Sequence, residues 1–201
     1  MSLRPVLAVT ALLLLTGCSS TVSPSPTPTP AETPSSAPAI ETRSAALQPV
    51  RAPVPPIRVE VGSVGIDVAV VPVGIQADGY MELPPDVAIA GWYKFGSDPG
   101  RPAGTTVISA HVDSLEYGLG PFSQLKALGV GAVISVSSAD GSRQDYSVES
   151  VQSVLKSQLP LGQIFDREGA PRLVLITCGG QFDSEQLNYS DNIVVVAVPV
   201  V

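Results

Sequence analysis

Histidine is almost missing from this chain: its 201 residues contain one, His111. Cysteine is nearly as scarce, with Cys18 and Cys178 alone. A single imidazole and so few thiols cannot build a zinc site of the usual four-ligand kind. Basic residues are outnumbered, 11 Lys and Arg against 18 Asp and Glu, for a formal charge of −7, and aromatics make up 5%. With no basic patch and few rings to stack on bases, nucleic-acid binding is excluded as a function class. No glycine-rich phosphate loop leads into a helix and no Gly-X-Ser-X-Gly elbow occurs, so no cofactor is implied. There are no internal repeats. No apolar run is long enough to span a bilayer, which takes about 20 residues.

Proline and glycine, by contrast, are plentiful, at 20 and 18 residues, and about half of the prolines precede residue 57. The chain therefore reads as a tail followed by one domain. Residues 1–17 carry Arg4 and then an apolar run over 6–15, the h-region of an export signal. The run closes on Leu15, Thr16, Gly17 and Cys18. This resembles a bacterial lipobox, in which cleavage precedes the cysteine and the cysteine is lipidated. Residues 18–56 are rich in Ser, Thr, Pro and Ala, with Ser-Pro and Thr-Pro pairs over 23–30. Too little apolar surface is available there to offset ordering entropy, so the segment is expected to be a disordered tether with polyproline II character, reaching about 100 Å. The expected location is the outer face of a bacterial cell membrane, anchored by lipid on Cys18, with the domain extending into the cell wall. Lipidation of Cys18 would leave Cys178 as the one free thiol of the mature chain, and a lone thiol in an exported protein is a candidate reactive group.

Residues 57–201 read as the domain. Short apolar or alternating segments, taken as strands, fall at 57–61, 66–73, 91–95, 105–111, 132–137, 144–151, 173–178 and 192–199. Pro72 marks an edge or a bulge in the second. Asp140-Gly141 is a hairpin turn. Phe122, Leu125 and Leu128 recur at helical spacing, which predicts a two-turn helix over 121–128, and a second short helical piece is expected near 161–166. About eight strands with little helix leave a closed barrel and a sandwich both open.

Residues 173–177 are apolar or β-branched, the pattern of a buried strand. It is expected to end on Cys178, with Gly179 and Gly180 leaving room for another backbone to approach. His111 ends a second apolar strand. A thiolate is a nucleophile and a neighbouring imidazole can move its proton, so Cys178 and His111 are the candidate catalytic residues.

The strings around them carry a resemblance. Ile-Ser-Ala-His-Val-Asp-Ser over 108–114, Leu-Val-Leu-Ile-Thr-Cys-Gly-Gly over 173–180, Phe182-Asp183 and Tyr-Ser-Asp-Asn-Ile-Val-Val over 189–195 are similar to the sortases, bacterial cysteine transpeptidases. They look most like the class F sortases of actinobacteria. Val-Pro-Val-Gly over 71–74, Met-Glu-Leu-Pro-Pro over 81–85 and Gly-Trp-Tyr over 91–93 agree. The resemblance implies an all-β fold, a closed eight-stranded sortase-type β-barrel with one or two short helices. It implies that Cys178 attacks the Thr–Gly bond of a Leu-Pro-X-Thr-Gly-like sorting signal on a peptide or protein substrate, forming a thioester that an amine acceptor releases. His111 would serve as general acid for the leaving amine and base for the incoming one.

One residue departs from the pattern. The family places an arginine on the last strand to hold substrate and oxyanion, and Ser190 stands where it is expected. Arg172 lies six residues before Cys178 on one strand, about 20 Å away. Arg58, Arg101, Arg143 and Arg167 remain, with Arg101 favoured. Otherwise the role falls to backbone N–H groups and Asn192, or the chain is a slow or degenerate sortase-like lipoprotein that binds wall peptides. A hydrolytic cysteine peptidase is a third reading. Asp113 and Asp183 are expected to cap turns, with orientation of His111 or of the cysteine loop as the alternative. Tyr189 and Asn192 are expected to pin the loop to the last strand.

Overall fold

A computed structural model describes residues 51–200. The export signal, the lipobox and nearly all of the tether lie outside the described residues. The described residues form ten strands: β1 (Pro56–Val61), β2 (Ile66–Val73), β3 (Ile89–Tyr93), β4 (Thr105–Ser109), β5 (Asp113–Ser114), β6 (Gly118–Leu119), β7 (Val133–Ser138), β8 (Arg143–Leu155), β9 (Arg172–Asp183) and β10 (Asn188–Pro199). Eight of them close a barrel in the order β1-β2-β3-β4-β9-β10-β8-β7, while β5 and β6, of two residues each, form a separate two-stranded hairpin. The barrel alternative is the one realised, and closure removes the free edges a sandwich would have to protect.

Side-chain alternation fixes two apolar layers. Ile108 and Ala110 of the β4 region, Leu173 and Leu175 of β9, and Ile193, Val195 and Ala197 of β10 point into the barrel with Val59, Val61, Ile66 and Trp92. The intervening Val107, Val174, Ile176 and Val194 point outward, into a second cluster with Tyr93 and Ile164 that Leu159 and Phe165 flank. Strands buried on both faces read as unbroken apolar runs, which is why 173–177 shows no alternation. The segment after β8, with a one-turn helix α1 (Leu161–Ile164), covers this outer face.

Several elements differ from expectation in detail. The helix over 121–128 is a 3-10 helix, Pro121–Ala127, which buries Phe122 and Leu125 in the barrel. Proline stands at its first position, where no N–H is needed, and no side chain caps it. Pro72 pairs with Trp92 of β3, beyond the stretch of β2 that pairs with β1, so no ladder bond is lost. Residues just before the expected boundary at residue 57 also bond to the domain. The Val54 amide donates to Asp98, the Arg101 guanidinium to the Arg51 carbonyl, and the Ala139 amide to the Pro55 carbonyl.

Candidate active site

β4 and β9 run parallel and adjacent, with Ser109 opposite Ile176. The ladder continues one step past β4, since the Ala110 amide donates to the Ile176 carbonyl and the Thr177 hydroxyl to the Ala110 carbonyl, at 3.2 and 2.9 Å. The next rank holds His111 and Cys178. Neighbouring strands lie about 4.8 Å apart, and alternation turns both side chains to the outer face: Ala110 and Thr177 are on the inward phase, and Ile176 is in the outer cluster. Cys178 is a free thiol, half-buried. Its partner on the other side is Asn192 of β10.

His111 is half-buried, and burial lowers its pKa, opposed by the charge of Asp113. Asp113 follows two residues later on β5 and accepts a 2.5 Å hydrogen bond from the Tyr189 hydroxyl. That bond, with burial and the charges of Asp113 and Cys178 adding to it, pushes the Tyr189 phenol up to about 12. Asp113 therefore joins the β5–β6 hairpin to β10 beside His111, while the hairpin's own turn bond, from the Tyr117 amide, goes to Ser114. Tyr189 does pin structure, but to Asp113. The Asn192 side chain makes no hydrogen bond among the described residues. Asp183 behaves as expected, accepting from the amides of Glu185 and Gln186 in its own turn.

β9 does not end at Cys178; it runs on to Asp183, and β10 begins at Asn188. The room beside the two glycines is taken by β10 side chains rather than by another backbone. A Cβ on Gly179 would sit 2.7 Å from Ile193 Cγ1, and one on Gly180 would sit 2.3 Å from Ser190 Oγ. Gly180 has φ +79°, and the β9–β10 register shifts between Tyr189 and Asp191, so Gly180 and Gln181 together face Ser190 in a bulge. Ser190 is occupied within that bulge. Its hydroxyl accepts from the Gln181 amide and donates to Asp191, whose second carboxylate oxygen accepts from Ser153. These two hydroxyls hold the Asp191 carboxyl below its ordinary range.

Strand direction places the arginines. β4 and β9 both start at the end of the barrel away from His111 and Cys178. Arg172 opens β9, and Arg101 precedes β4, where it bonds Asp98 and the Arg51 carbonyl. Arg167 sits in the loop whose Asp166 carbonyl receives the Thr105 amide, at that same end. Arg143 opens β8 and Arg58 lies near the start of β1, both linked to the Glu60 carboxylate. All six described arginines are thus remote from Cys178, and the preference for Arg101 is overturned. Among the described residues no three His, Cys, Asp or Glu side chains gather as a metal site.

The family model described as Sortase domain matches residues 59–200. The chain belongs to the sortase family. Solved sortases share its barrel. Sortase C-1 from Actinomyces oris is 21% identical, with 72% of this chain and 73% of that one covered and a TM-score of 0.54. Sortase A from Corynebacterium diphtheriae is 18% identical, covering 76% and 63%, with a TM-score of 0.54. Sortase C1 of Streptococcus agalactiae, solved in complex with MTSET, is 18% identical, covering 72% and 66%, with a TM-score of 0.55. These neighbours are sortases of classes A and C. A search of curated protein sequences finds no match.

Proposed function

We propose that this sortase is a class F-like cysteine transpeptidase in which Cys178 is the nucleophile and His111 moves the protons. The observation that carries the reading is the parallel register of β4 and β9, whose continuation brings the one histidine and the one described cysteine to the same rank on one face. The acyl donor is a peptide with a Leu-Pro-X-Thr-Gly-like sorting signal. Sγ attacks the Thr carbonyl carbon and its proton passes to the neutral imidazole. The tetrahedral intermediate collapses, the C–N bond breaks, and the imidazolium returns that proton to the leaving amine. An amine acceptor then attacks the thioester, gives a proton to His111, and expels the thiolate, which takes the proton back. The protein is held by lipid on Cys18 at the outer face of the membrane, with its domain in the wall.

The test is covalent labelling by a sorting-signal analogue with a thiol-reactive end. Labelling is expected in the wild type and absent in Cys178→Ala; equal labelling of both would refute the assignment. A second reading, a barrel that binds wall peptides without turnover, is favoured by the remoteness of the described arginines. Ser190→Arg separates the two: a silent wild type with an active variant supports the binding reading, and an active wild type removes it. Products formed with and without an added amine distinguish transfer from hydrolysis.

A further inference from the structure

The remote arginines leave the developing oxyanion without the cation the family would use, so some other donor must face Cys178. We propose that Asn192 is that donor, binding the oxyanion of the tetrahedral intermediate through Nδ2–H. This inference rests on the reading of Cys178 as the nucleophile.

Three observations support it. Asn192 is the direct β10 partner of Cys178, and paired Cβ atoms across two antiparallel strands lie about 4.5–5.5 Å apart. It shares the outward phase of Cys178, since Ile193 on one side points into the barrel and Val194 beyond it belongs to the outer cluster. Finally, Asn192 is half-buried with its amide uncommitted among the described residues, whereas the neighbouring donors are engaged. The Tyr189 proton goes to Asp113, that of Ser190 to Asp191, that of Thr177 to the Ala110 carbonyl, and Lys156 bonds Asn188. His111 is reserved for proton transfer.

The chemistry is conservative. As the Sγ–C bond forms, the carbonyl π pair moves onto oxygen, and that oxygen accepts from Nδ2–H. When the C–N bond breaks, the pair returns to the C=O and the hydrogen bond relaxes. A neutral amide stabilises the negative oxygen less than a guanidinium does, so turnover is slower than an arginine would allow, without being abolished.

The experiment uses the full chain with a synthetic Leu-Pro-Ala-Thr-Gly peptide as donor and triglycine as acceptor. Asn192→Ala is expected to lower kcat by about 10²–10³-fold with KM unchanged, the usual cost of losing one oxyanion donor. Asn192→Leu, similar in size and uncharged but without the N–H donors, should lose as much, which guards against a cavity effect in the alanine variant. Alkylation of Cys178 by iodoacetamide passes through no oxyanion and should proceed at the wild-type rate in both. Adding Ser190→Arg to Asn192→Ala should recover turnover. Wild-type kcat in Asn192→Ala, with Cys178→Ala inactive, would overturn the role of Asn192 and leave the nucleophile in place. A loss of alkylation rate matching the loss of kcat would also overturn it, because Asn192 would then act on the thiol. Equal transfer by wild type and Cys178→Ala, or none by either, would remove the nucleophile reading and this inference with it.

Discussion

At the scale of single residues, His111 offers an unusually clean handle because no other histidine exists in the chain. Burial lowers its pKa, so the neutral form that accepts a proton persists below the ordinary histidine value of about 6.5. The acidic limb of kcat/KM should therefore lie below pH ~6.5, and the single imidazole signal in a proton NMR titration should move with it. Asp113 raises that pKa, so Asp113→Asn should shift both the limb and the titration further down. An upward shift, or none, would show that the Asp113 charge does not reach the imidazole. His111→Ala should cost about 10²–10⁴-fold in transfer, the usual worth of a positioned acid–base group. The bond between Asp113 and Tyr189 joins residues 76 apart in sequence, and nothing in spacing or periodicity announces it. The only sequence signal is that each lies near one of the two catalytic candidates.

At the scale of elements, the β9–β10 pair shows what the sequence did and did not reveal. The apolar run before Cys178 was legible as a strand, because a strand buried on both faces needs no alternation. Its continuation to Asp183 was not, because two glycines and the polar residues 188–192 look like a loop. Pairing supplies what composition withholds: Gly179, Phe182 and Asp183 pair with Asp191, Tyr189 and Asn188, with Gly180 and Gln181 in the bulge between them. Gly180→Ala tests the bulge. An alanine at φ +79° costs about 1–2 kcal/mol before its Cβ meets Ser190. Thermal unfolding should fall accordingly, with transfer falling further because Asn192 and Cys178 share that pair; an unchanged melting temperature would mean that the bulge relaxes freely. The helix expected at 121–128 is a 3-10 helix, a type that periodicity over so short a stretch does not reveal, since it does not separate three residues per turn from 3.6.

At the scale of the molecule, the two ends of the barrel are chemically distinct. One end carries Cys178 and His111, and the other gathers the six described arginines. There Asp98, its side chain fully buried, accepts from the Val54 amide and from Arg101, with Arg51 at 3.9 Å. This clasp brings the chain into β1 at the end opposite the candidate site. Asp98→Ala should remove charge-assisted bonds worth about 2 kcal/mol together, lowering the melting temperature by about 4–8 °C while leaving iodoacetamide alkylation of Cys178 unchanged. A parallel loss of thiol reactivity would show that the two ends are coupled. Motif order gave no hint of this polarity. Arg101 was a reasonable candidate until strand direction put it at the far end, and direction is a property of the closed sheet rather than of any segment. The central claim, that Cys178 forms a thioester with a peptide acyl group, is tested most directly by intact-mass measurement of the full chain after brief exposure to a Leu-Pro-Ala-Thr-Gly peptide. The account predicts an acyl adduct that is discharged by hydroxylamine and absent from Cys178→Ala; an adduct of the same mass on Cys178→Ala would contradict it.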